Sequence, residues 1–125
     1  MNIEFPVFIF AKDSSEIQRF ESVYDLQCQL EEIDVENAEY LAWDKNGNPI
    51  LLAVQKPIWL KLEPVTGSPQ PDLKSCLEKY ATTVGVQVGL KESSPQEFKR
   101  AYEQIAAEAK RRTRPNIFSR LTRRR

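Results

Sequence analysis

The sequence predicts an α+β fold: a mainly antiparallel sheet of four to five strands, one early helix, two C-terminal helices and a basic tail. Three observations predict it. Apolar residues in the first half alternate with the two-residue period of strands. The dipeptide Asn46-Gly47 sits between two such runs, where both residues tolerate the positive φ of a hairpin turn. Beyond the proline-rich loop Val65–Pro71, the spacing changes to the helical one, and two helix starts carry capping residues.

Ile3–Ala11 reads as the first strand. Ile3, Phe5, Val7 and Ile9 share one face and Phe8 and Phe10 the other, as in an interior strand covered on both sides. Glu16–Phe20 reads as a short returning strand with Ile17 inward. Ser22 opens a helix as its cap, with Asp25 as the answering acid. Val23, Leu26, Leu30 and Ile33 make its apolar stripe. Acidic residues crowd the expected exit of that helix, where they oppose its macrodipole.

Glu39–Asp44 and Ile50–Gln55 form the central hairpin. Ile50, Leu52 and Val54 share one of its faces, and a further strand carries Ile58, Leu60 and Leu62 on one side. Asp44–Asn48 superficially resembles the start of a calcium loop, but Gly47 is its fourth residue and Gln55 its twelfth, so the turn reading is preferred. Asp72–Ala81 predicts a helix with Leu73, Cys76, Leu77 and Tyr80 on one face. Val84, Val86, Val88 and Leu90 alternate, and Gly85 and Gly89 weaken a helix, so Thr82–Leu90 is read as strand in preference to helix. Ser94-Pro95-Gln96-Glu97 starts the last helix, expected to end near Arg112 and to be stopped by Pro115. The domain is expected to span 1–112, with 113–125 a basic tail, flexible or ordered by docking.

Composition excludes much chemistry. There is no histidine, which removes Ser–His and Cys–His catalysis and the usual near-neutral base. Four glycines show no phosphate-cradling pattern, and two cysteines cannot alone build a zinc site. Carboxylates remain: Asp34, Glu36, Glu39 and Asp44 are near in sequence, yet strand alternation sets Glu39 and Asp44 on opposite faces. The expectation is a protein that is not an enzyme, with no catalytic residue, no cofactor and no metal. No apolar run is long enough to span a membrane. The apolar start of the chain lacks a basic leader and reads as strand, and Cys28 and Cys76 as reduced thiols, so a cytoplasmic location is expected.

The zero net charge hides a segregation. Residues 1–90 hold 14 acidic and 7 basic side chains, and residues 91–125 hold 4 and 11. This favours a protein-interaction module whose contact surface comprises Glu31, Glu32, Asp34, Glu36, Glu39, Trp43, Asp44 and Trp59, facing a basic protein partner. A toxin-neutralising, immunity-type role is one specific form, by analogy of size and charge alone. The alternative is nonspecific binding of nucleic acid or an anionic surface through Lys110, Arg111, Arg112, Arg114, Arg120, Arg123, Arg124 and Arg125. The tail can instead dock on an acidic surface of its own chain or of a second copy, which would make a homo-oligomer.

Overall fold

The computed structural model describes residues 3–54, 60–65 and 70–123, the last eleven as backbone only. It has an α+β fold with a five-stranded antiparallel sheet in the order β2-β1-β3-β4-β5. The strands are β1 Val7–Ala11, β2 Glu16–Phe20, β3 Tyr40–Trp43, β4 Pro49–Val54 and β5 Leu60–Pro64. The helices are α1 Val23–Gln29, α2 Glu32–Glu36, α3 Leu73–Val84 and α4 Pro95–Arg123.

Strand β1 divides the interior. Phe8 and Phe10 face one core, with Ile17, Trp43 and the apolar stripes of α3 and α4. Val7 and Ile9 face the other, with Phe20, Ala42, Ile50 and the connector residues Leu26, Leu30 and Val35. The four consecutive buried apolar residues Val7, Phe8, Ile9 and Phe10 are therefore the pattern of a strand buried on both sides. Register aligns Phe8 with Trp43 on β3 and with Arg19 on β2. Arg19 stacks over Tyr102 of α4 at 5.1 Å and pairs with Glu103 at 3.0 Å. Phe8 meets the same Tyr102 ring edge-on at 5.7 Å. Burial pushes the Tyr102 hydroxyl above its ordinary pKa.

The hairpin forms as the turn chemistry requires. Gly47 has φ +85°, the left-handed region that glycine occupies without a β-carbon penalty. Asp44 holds the loop closed: its Oδ1 accepts from the amides of Asn46 and Asn48, each at 2.9 Å. Its Oδ2 accepts from Asn48 Nδ2 at 3.3 Å.

Several expectations are corrected. The early helix is two helices, because Leu30 turns extended (ψ 148°) and Glu31 becomes the cap position of α2. The stripe changes with it: Val35 is buried, while Val23 and Ile33 are exposed. Glu32 and Asp34 thus lie in a first turn, where acid favours the dipole, not at a helix exit. Residues 82–90 are not a strand. Helix α3 continues to Val84 and ends at Gly85 with φ +92°, and the following residues lie outside the sheet. The alternation there is real, since Val84, Val86, Val88 and Leu90 are more buried than their neighbours, but the segment lies along α4. Its carbonyls accept from α4 side chains in place of a ladder: Val84 from Arg112 at 2.8 Å, Gln87 from Gln104 at 3.5 Å and Gly89 from Arg100 at 2.9 Å.

Helix α4 starts as expected, Ser94 Oγ accepting from the Glu97 amide at 3.2 Å. It passes through Pro115 to Arg123 instead of stopping. A proline inside a helix removes one backbone hydrogen bond and crowds the carbonyl four residues earlier, yet the flanking turns continue.

Candidate functional site

The candidate surface is the connector that crosses the sheet from β2 to β3. Ser22 Oγ caps α1 by accepting from the Asp25 amide at 3.1 Å. Leu26, Leu30 and Val35 point to the sheet, which fixes the outward face by default. Tyr24 on α1 is 73% exposed and Ile33 on α2 63%, two large apolar side chains in water. Glu36 is exposed, and Glu31, Glu32 and Asp34 are half-buried. Asp34 Oδ2 accepts from the Tyr40 hydroxyl at 3.3 Å, which ties α2 to the start of β3. The Glu39 amide donates to Asp34 O, and its carbonyl accepts from the Lys12 amide, both at 3.0 Å. The connector thus carries one exposed large apolar side chain on each helix and four carboxylates on and beside α2.

Two residues expected on this surface are absent from it. Trp43 is completely buried, on the opposite side of the sheet with α3 and α4. It packs where Phe8 and Phe98 need a large partner, so it presents nothing to a second molecule. Asp44 is 8% exposed, and its carboxylate is engaged by the hairpin amides. Trp59 lies outside the described residues. Glu31, Glu32, Asp34, Glu36 and Glu39 are gathered around α2. Tyr24 and Ile33 were missed because a single helical stripe put Ile33 inward and gave Tyr24 no role. The phase change after Leu30, with Val35 the next inward apolar residue, is the only signal in the sequence.

Among the basic residues, Lys110, Arg111 and Arg112 are exposed on α4. Arg111 and Arg112 both pair with Glu108, whose carboxyl they hold below its ordinary pKa. Arg114, Arg120 and Arg123 follow on the same helical backbone, and their side chains, with all of Arg124 and Arg125, lie outside the described residues.

Asp34, Glu36, Glu39 and Asp44 are not brought together, and among the described residues no group of three or more His, Cys, Asp or Glu could hold a metal. An open cavity of about 480 Å³ is lined by Phe10, Leu41 and Pro71 with Lys12, Lys79, Ser15 and Gln70. No helix among the described residues is long and apolar enough to cross a membrane. No protein-family model matches the chain, and no curated protein or solved structure matches it either.

Proposed function

We propose that this protein is a non-enzymatic interaction module that docks a basic protein partner on the α1–α2 surface. The observation that carries the reading is the exposure of Tyr24 and Ile33 on a connector that also carries Glu31, Glu32, Asp34 and Glu36. Exposed large apolar side chains inside a polar rim are the composition of a contact patch. The carboxylates speed encounter with a cation-rich partner, and the apolar pair supplies the dry centre. Neutralisation of a toxin by direct binding is one form this takes. The test compares capture from native extract by wild type, by Tyr24→Ser/Ile33→Ser and by Lys12→Ser/Lys79→Ser on the other side of the sheet. The same basic protein should be retained by wild type and the lysine variant and lost by the connector variant. Equal retention by all three refutes the surface.

A second reading rests on α4, whose helical backbone to Arg123 carries six of the eight cations that the sequence places, with no acid between them, from Lys110 to Arg125. Such a helix binds nucleic acid or another anionic surface without sequence preference, with affinity falling steeply as salt rises. Salt-dependent binding of duplex DNA by the full chain, abolished by Arg114→Glu/Arg120→Glu, supports it. Binding that is unaltered by those changes removes it.

A further inference from the structure

We infer that the basic segment docking on α1–α2 is the end of α4 from a second copy of this chain. The inference rests on the α1–α2 reading and names its partner.

Three features of α4 lead there. Its buried positions are Phe98, Ala101, Ile105 and Ala109, one stripe that seats the helix on the sheet. Further along, the sequence places Ile117, Phe118 and Leu121 at helical spacing. At 3.6 residues per turn, those three positions fall about 160° around the helix from the first stripe. They cannot extend the same packing, and a second apolar stripe requires a second surface. The cations around it are the complement of the connector: residues 1–90 carry an excess of seven acids, and 91–125 an excess of seven bases.

Topology decides between the molecule's own connector and another's. Helix α4 packs on the face of the sheet that holds Phe8 and Phe10, and α1 and α2 on the face that holds Val7 and Ile9. Helix α4 is continuous to Arg123, with no break at Pro115 where it could turn to the other side. A helix of residues 113–123 is about 16 Å long, enough to lie across α1 and α2 of a neighbour. Two copies related by a two-fold axis satisfy both contacts at once, and without closure the same contact propagates head to tail.

The experiment uses full-length chains with exchanged charges, followed by light scattering at about 50 mM and about 500 mM salt. One chain carries Glu31→Arg/Glu32→Arg/Glu36→Arg, which takes the four connector acids from −4 to +2; the other carries Arg114→Glu/Arg120→Glu/Arg123→Glu/Arg124→Glu, which takes residues 113–125 from +5 to −3. Wild type should show a mass at least twice its 14.5 kDa at low salt and fall toward the monomer at high salt. Each variant alone should be monomeric, because its surface and its helix end then carry like charge. Mixing the two should restore association, since the basic connector of one meets the acidic helix end of the other. Restoration also shows that both variants are folded. A wild type that stays monomeric overturns the inference, as does association unchanged in both variants. A monomeric wild type that still captures a different basic protein through Tyr24 and Ile33 leaves the interaction module standing and this partner refuted. A monomer that binds DNA through Arg114 and Arg120 assigns the helix end to phosphate instead.

Discussion

Gly47→Ala tests the join between the central hairpin and α4. The residue sits at φ +85°, and a β-carbon built there would lie 2.9 Å from Phe98 Cε2 and 3.0 Å from Cζ. Phe98 is 2% exposed, so its ring has no free direction of retreat. A side chain in the left-handed region costs about 1–2 kcal/mol. Forcing one extra methyl against a packed ring adds about 1–3 kcal/mol. The sum, about 2–5 kcal/mol, corresponds to a fall in Tm on the order of 10 °C. Urea unfolding of Gly47→Ala, Phe98→Leu and the double variant separates the two parts. With the ring shortened, Gly47→Ala should cost only the backbone part, leaving a coupling of about 1 kcal/mol or more. A loss below about 0.5 kcal/mol for Gly47→Ala refutes the account. An identical cost in both backgrounds removes the contact with Phe98.

Asp44→Ala leaves two loop amides without their acceptor and should cost about 2 kcal/mol in urea unfolding, with Asp44→Asn closer to wild type. Arg100→Ala/Arg112→Ala should speed amide exchange across residues 85–90 while β1 amides stay protected; unchanged exchange there disproves the tether. Cys76, fully buried, has its thiol pKa pushed from 9.0 up to about 11 by desolvation, so the un-ionised thiol is favoured in the folded state. The unfolded thiol ionises first, so this group adds nothing to pH dependence below about 9 and lowers stability between about 9 and about 11. Cys76→Ala should flatten that alkaline loss, and at neutral pH an alkylating reagent should label exposed Cys28 and spare Cys76. At about 500 mM salt, where the inferred association is screened, a chain ending at Thr113 should melt cooperatively near the wild-type temperature, since Ala109 is the last buried position among the described side chains; a large fall there would make the helix end part of the core.

Much of the sheet was legible because its signals are local. Glu16–Phe20 was readable from Ile17 inward after the Lys12–Ser15 turn, and the hairpin from Asn46-Gly47. The two-sided burial of β1 followed from apolar residues of both parities. The connector was less legible, because its stripe changes phase at Leu30 and a window averaged over 23–33 blends two helices into one. The segment after Gly85 shows a different limit. Alternation reports that one side of an extended chain is buried, and it is silent on whether the neighbour is a strand or a helix. The site suffered most. Tryptophan is both the largest core filler and the commonest contact anchor, and nothing beside Trp43 in the chain distinguishes the two. The register with Phe8, a pairing across 35 residues, is what buries it.

The tethered segment after Gly85 bears on how the fold protects itself. An extended chain beside a domain is a template on which foreign strands can grow, because its backbone groups seek partners. Here guanidinium and amide groups of Arg112, Gln104 and Arg100 occupy carbonyls of Val84, Gln87 and Gly89. They come from α4, so an incoming strand would have to displace them to pair with those carbonyls. The valine-rich stretch TTVGVQVGL, which in isolation has the composition of an aggregation-prone segment, is thereby kept from recruiting copies of itself for as long as α4 stays in place.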